Sequence, residues 1–166
     1  MVVKELKIKE IKKSKLPLII GYFGSVHVMH SQLLDKFHYR RYNILTFKDY
    51  KTKLKTQLYT YEERISNLAQ FKPKNIFVFD INKYNMKAED FIWEVLLPLQ
   101  PSSILVGSDF RFGSDLKLHT VLNQYFPVDT INHNKRISTS IISKLFNCVF
   151  FLSSILSFVK VGLNSK

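Results

Sequence analysis

At 166 residues the chain is long enough for one domain with a real core, and 46% hydrophobic residues with 14% aromatics exclude an intrinsically disordered protein. Its single cysteine, Cys148, excludes an internal disulfide and a cysteine-based zinc site, and fits a cytoplasmic location. The net charge of +12 would suit nucleic acid, an anionic membrane surface or a phosphorylated small molecule.

The basic residues are scattered, apart from a lysine-rich start (Lys4, Lys7, Lys9, Lys12, Lys13, Lys15), and no stripe of aromatics alternates with arginines. Neither a nucleic-acid nor a membrane partner is therefore expected, and a nucleic-acid binder rests on charge alone. The charged N-terminus does not read as a signal peptide. Leu145–Val159 is apolar but carries Asn147, Ser153, Ser154 and Ser157, and falls short of the ~20 residues that span a bilayer.

In chain order, residues 1–15 alternate Lys or Glu with Val, Leu and Ile, and read as an edge strand or a frayed arm. Leu16–Tyr22 is a buried strand, Ser31–Tyr39 a helix and Tyr42–Phe47 a second strand. Lys48–Leu58 is a polar loop or flap. Thr60-Tyr61-Glu62-Glu63 is a capping box that opens a helix with Ile65, Leu68 and Ala69 on the face of Tyr61, stopped by Pro73. Ile76–Phe79 is the third strand, with Asp80 at its carboxyl end. Ala88–Leu97 is an amphipathic helix ended near Pro98. Ser103–Gly107 is the fourth strand, Ser114 caps a helix running to Gln124, Val128–Ile131 is a short fifth strand, and Ile137–Phe146 is a last helix. Alternating strands and helices, with strands apolar throughout, predict a mostly parallel sheet of five or six strands covered by helices on both faces. A ligand in such a fold lies off the carboxyl ends of the strands.

Three stretches at those ends have the chemistry for phosphate and a flat ring. After Gly21-Tyr22-Phe23-Gly24-Ser25, His27 and His30 share one face of a helix start, where free N–H groups and a partial positive charge seat phosphate. Exposed histidines without a role would give the same pattern. A metal site would need a third ligand, and His38, His119 and His133 are isolated, so none is expected. Gly107-Ser108-Asp109-Phe110-Arg111-Phe112-Gly113 follows a strand directly. Arg111 suits a phosphate, and Phe110 and Phe112 suit a flat ring system or simple core packing. Arg136-Ile137-Ser138-Thr139-Ser140 puts three hydroxyls at a helix start, as ordinary caps or as phosphate contacts.

Together these stretches resemble the adenylyltransferase module of bacterial FAD synthetases, the bifunctional riboflavin kinase/FMN adenylyltransferases of the His-x-Gly-His nucleotidyltransferase group. The resemblance rests on five stretches in order: Phe23–His30, Thr46-Phe47-Lys48-Asp49, Thr60–Arg64, Val106–Gly113 and Ile137–Ser140. It covers roughly residues 16–145. It implies a Rossmann-like three-layer fold over residues 1–145, and a tail, 146–166, that resembles the start of a riboflavin kinase module otherwise missing. It implies formation of FAD and pyrophosphate from ATP and FMN, with Mg2+ accompanying ATP. The same resemblance makes His27 and His30 catalytic. It assigns ATP to Tyr22, Phe23, Gly24, His27, His30, Arg136, Ser138, Thr139 and Ser140. It assigns the flavin to Phe47, Asp109, Phe110, Arg111 and Phe112.

The sequence departs from the family pattern at Gly24 and Ser25 (Asp and Gly in the family), Met29 (Gly), Lys48-Asp49 (Asp-Pro) and Ser143 (Arg). Two alternatives therefore stand beside the enzyme reading. One is an adenylyltransferase acting on another phosphorylated acceptor. The other, favoured by Gly24 and Met29, is a nucleotide- or flavin-binding remnant without catalysis.

Overall fold

The computed structural model describes residues 1–24, 41–48 and 59–131. Its centre is a six-stranded sheet in the order β1-β4-β3-β2-β5-β8, in which every pairing is parallel. The strands are β1 (Val2–Glu5), β2 (Leu18–Ile20), β3 (Asn43–Phe47), β4 (Asn75–Phe79), β5 (Ile104–Gly107) and β8 (Val128–Ile131). The α/β fold with a parallel sheet is thus as expected, with six strands of the expected five or six. The lysine-rich start supplies the edge strand, β1, paired with β4.

The strands read as apolar throughout because each feeds two cores. Leu18, Ile20, Leu45, Phe77, Phe79, Ile104 and Val106 point to one face, with Phe91, Ile92, Val95 and Leu96 packed over them. Ile19, Ile44, Ile76, Val78 and Leu105 alternate to the other face, under Leu68, Phe23 and Tyr42. The two-residue side-chain period of a strand, with apolar residues at both phases, requires cover on both sides. Most of these side chains lose nearly all contact with water, each stabilising the fold by about 1.5–3 kcal/mol before ordering costs.

Helix α1 (Tyr61–Gln70) starts at the expected capping box: Thr60 N–H donates to Glu63 Oε2 at 2.8 Å, and Glu63 N–H donates to Thr60 Oγ1 at 3.2 Å. The second helical stretch departs from a plain helix over Ala88–Leu97. It runs as α2 (Ala88–Phe91), a π-helical segment (Ile92–Leu96) and a final turn, α3 (Leu97–Leu99), ending at Gln100 in the left-handed region. The π segment lies just ahead of Pro98, which lacks an N–H and which the last turn accommodates near its start.

The region after β5 differs most from expectation. Ser114 does not cap a helix running to Gln124. A short antiparallel hairpin, β6 (Arg111–Phe112) with β7 (Lys117–Leu118), intervenes, and only His119–Gln124 turns, as a 3-10 helix. The reason is a pair of contacts distant in sequence. Ser114 N–H donates to Met86 O at 2.9 Å and the Asp115 carboxylate accepts from Ala88 N–H at 2.9 Å, so both residues dock the loop onto α2. The expected helices Ser31–Tyr39 and Ile137–Phe146, the loop Asp49–Leu58 and the boundary at residue 145 lie outside the described residues.

Candidate functional site

Because every strand of the main sheet runs the same way, the chain segments after Ile20, Phe47, Phe79 and Gly107 leave from one edge. Just beyond that edge lies a cavity of about 620 Å³, within the usual range for a small-molecule site. Tyr22 lines it from the β2 exit, Phe47 from β3, and Phe79, Ile81, Tyr84 and Met86 from β4 and its following loop. Phe91 comes from α2, and Asp109, Phe110, Arg111 and Phe112 from the segment after β5. The aromatic lining is continuous. Phe110 and Phe112 stack nearly parallel, 5.8 Å apart at 6°, and Phe112 continues to Phe91 at 6.0 Å. Phe91 meets Phe79 edge-on at 5.1 Å and Phe47 at 6.5 Å, and Phe79 stacks on Tyr84 at 5.6 Å. Such a wall favours a flat, polarisable ring over a flexible polar chain.

The Phe110–Phe112 pair is held by its loop. Phe110 N–H donates to Gly107 O at 3.0 Å, closing a turn directly on the strand end. Gly113 has φ +75°, and a β-carbon there would lie 2.2 Å from Ala88 N, so only glycine fits between the loop and α2. Arg111 is exposed and donates from Nη1 to Leu116 O at 3.3 Å.

The exit of β2 is fixed differently. Phe23 is in the left-handed region, φ 55°, although it is not glycine, and its ring is buried in the core under Ile19, Ile44 and Leu68. A β-carbon at Gly24 would lie 3.1 Å from Cδ1 and Cε1 of Tyr22, so a side chain at this position would press on the ring that lines the cavity. The Tyr22 carbonyl accepts from Arg64 Nη1 at 2.8 Å and from Thr46 Oγ1 at 3.1 Å, while the Arg64 guanidinium stands 4.5 Å over the Tyr22 ring.

At the ends of β1, β3 and β4, Lys48 Nζ lies 3.5 Å from Glu5 Oε2 and 3.4 Å from Asp80 Oδ2. The hydrogen bond to Asp80, then the charges of Glu5 and Asp80, raise the Lys48 ammonium above its ordinary value. Burial alone would raise Asp80, but the Lys83 N–H, the Lys48 ammonium and the Asn82 N–H outweigh it and hold the carboxyl below its usual range. Lys48 thus ties three strand ends together. Among the described residues no three His, Cys, Asp or Glu side chains converge to hold a metal ion, and no helix is long and apolar enough to cross a membrane.

Comparison with known proteins gives this arrangement a context. The FAD synthetase family model matches residues 9–142. The chain belongs to the FAD synthetase family. It is 34% identical over 143 residues to the "Trifunctional protein RibF/MnmA" of Mycoplasmoides gallisepticum, covering 85% of this chain and 21% of that protein. It is 30% identical over 114 residues to the "Bifunctional riboflavin kinase/FMN adenylyltransferase" of Mycoplasma pneumoniae, covering 69% of this chain and 42% of that protein. The chain thus spans well under half the length of these curated relatives. Among solved structures, a "Macrolide-efflux Protein" from Streptococcus pneumoniae matches with TM-score 0.64 and 21% identity, over 78% of this chain and 50% of that one, a likeness of fold alone.

For this FAD synthetase family member, the residues expected around a flavin, Phe47, Asp109, Phe110, Arg111 and Phe112, all line one cavity. Of those expected around ATP, Tyr22 lines the same cavity, Gly24 packs against Tyr22, and Phe23 turns its ring into the core instead. His27, His30, Arg136, Ser138, Thr139 and Ser140 lie outside the described residues. Sequence reasoning missed the contribution of Ile81–Met86. Its signal was weak: a tyrosine and a methionine in a loop that begins at an expected strand end. It also missed Arg64, whose signal was plainer. Arg64 falls between Tyr61 and Leu68 on the apolar stripe of α1, an unusual place for a charge.

Proposed function

We propose that this chain carries the FMN adenylyltransferase activity of its family, joining the adenylyl group of ATP to FMN to give FAD and pyrophosphate. The observation that carries the proposal is the aromatic cavity at the carboxyl edge of the parallel sheet, lined by Phe47, Asp109, Phe110, Arg111 and Phe112 in a chain of the FAD synthetase family. Its rings offer contact to the apolar face of an isoalloxazine, and Arg111 and Asp109 offer charge and hydrogen bonding at the rim.

The reaction forms a bond from a phosphate oxygen of FMN to the α-phosphorus of ATP, and breaks the bond from that phosphorus to the bridging oxygen of the β-phosphate. Pyrophosphate leaves with the electron pair. No covalent intermediate on the protein is needed, so the protein's work is alignment and stabilisation of spreading negative charge. His27 and His30 are the residues proposed to hold the triphosphate, with Ser138, Thr139, Ser140 and Arg136 as further phosphate contacts. Mg2+ accompanies ATP as its counter-ion, in keeping with that ion's preference for phosphate oxygens and water over a protein cage.

The test is direct. The purified protein, given ATP, Mg2+ and FMN, is expected to release FAD and pyrophosphate in equal amounts. His27→Ala is expected to lose turnover while keeping the wild-type thermal transition. Absence of FAD from the wild-type reaction refutes the proposal.

A further inference from the structure

We propose that Arg64 is a positioning residue for this site: from α1 it sets the backbone and ring of Tyr22, and through them one wall of the flavin cavity. The inference rests on the proposed adenylyltransferase reading. Its evidence, however, is this chain's own geometry.

Arg64 is 1% exposed, a burial that guanidinium groups seldom undergo without a specific task. It reaches from α1 to the exit of β2, across 42 positions of sequence, to donate from Nη1 to the Tyr22 carbonyl at 2.8 Å. The same nitrogen is 3.4 Å from Thr46 Oγ1, which itself donates to that carbonyl at 3.1 Å. The peptide leaving β2 is therefore gripped from α1 and from β3 at one atom. The guanidinium carbon also stands 4.5 Å over the Tyr22 ring and 5.6 Å from the centre of the Tyr61 ring. One cation thus fixes both ends of Tyr22, its main-chain oxygen and its ring.

Tyr22 is the cavity's wall on the β2 side. The next residue, Phe23, adopts a left-handed backbone, a conformation that costs a non-glycine residue about 1 kcal/mol or more and persists only where its surroundings hold it. Arg64 is the hydrogen-bonding partner immediately before that turn. A lysine at position 64 would keep the charge and a donor, but would lose the planar contact with the Tyr22 ring. Site geometry misplaced by small distances weakens binding and transfer well beyond its effect on stability.

The test compares wild type, Arg64→Lys and Arg64→Met for FMN binding by flavin fluorescence quenching, for kcat and KM of FAD formation, and for thermal unfolding. Arg64→Lys is expected to melt cooperatively near wild type, to bind FMN about tenfold more weakly, and to lower kcat as well. Arg64→Met is expected to lose more of both. A purely structural arginine would instead shift the melting transition and leave the FMN affinity and kcat of the folded fraction within twofold of wild type, and that result overturns the inference. Should Arg64→Met fail to fold, Arg64→Lys and Thr46→Val, which removes only the second grip on the Tyr22 carbonyl, decide it by the same readouts. A wild-type protein that neither binds FMN nor forms FAD overturns the functional reading and this inference together. An active wild type with unaffected variants overturns the role of Arg64 alone.

Discussion

The carboxylate of Asp115 accepts a hydrogen bond from the backbone N–H of Ala88 at 2.9 Å, so the loop after β5 caps a helix to which it is not joined. Helix α2 has no side-chain cap from its own preceding residue, Lys87. The bond therefore serves two ends, an orphan N–H on the helix and the placement of the Phe110–Gly113 segment on the cavity. Asp115→Ala is expected to cost about 1 kcal/mol of stability. The same variant should weaken FMN binding, measured by fluorescence quenching, whereas an Asp115 without a docking role would alter the denaturant midpoint alone.

Gly113 lies at the same junction. Alanine there meets two penalties, a φ of +75° and a β-carbon 2.2 Å from Ala88 N, a backbone atom that cannot swing aside. The expected loss is about 3 kcal/mol or more, read as a fall in the urea midpoint. A Gly113→Ala protein of wild-type stability would show that the loop and α2 are not in contact as described.

The Lys48, Glu5 and Asp80 cluster predicts a pH profile. Lys48 is raised above 10.5, so its contribution is complete below that value and is lost as pH climbs through the folded value. Asp80 is lowered below 3.8, so its contribution is present above that value and is lost as pH falls through the folded one. The Lys48 side chain is 43% exposed, and solvent screening limits the whole effect to about 1 kcal/mol. Chemical denaturation of wild type and Lys48→Met at about pH 2, pH 7 and pH 12 should show the largest difference at the middle pH. A difference that stays constant across that range contradicts the pairing.

Phe110 is half-buried and its stack with Phe112 is its main ring contact with the cavity wall. Phe110→Leu should cost little stability, about 1 kcal/mol, because the residue is not in the deep core. Its flavin affinity should fall severalfold, since an aliphatic side chain offers no stacking face. Isothermal titration with FMN measures this, and equal affinities in the two proteins would remove Phe110 from the site.

Much of the architecture was legible in the chain because parallel strands buried on both faces, such as Ile104–Val106 and Ile76–Phe79, have a distinctive unbroken apolar run. The capping box at Thr60 was legible for the same kind of reason, its two hydrogen bonds being local in sequence. The hairpin of β6 and β7 was not. Its outcome depends on Ala88 and Met86, more than twenty residues earlier, and Ser114 looks like a helix cap until those partners are known. Asp109–Phe112 stood out because they follow a strand end, whereas Phe47 was singled out by the family resemblance. The charge of Arg64 on an apolar stripe was visible in the sequence, but its task was not, because its partner Tyr22 is 42 positions away.

Strand β1 gives almost nothing to either core: Val2, Val3, Lys4 and Glu5 are all exposed. What it contributes is its backbone, which occupies the free hydrogen-bonding edge of β4 from Asn75 to Val78. Beneath it lies Ile76-Phe77-Val78-Phe79, a sequence with strong β preference and no charge. An uncovered edge of that kind is a template on which a second chain can add. The opening strand thus takes up the pairing groups of β4 and leaves an outer edge that carries Lys4 and Glu5 instead.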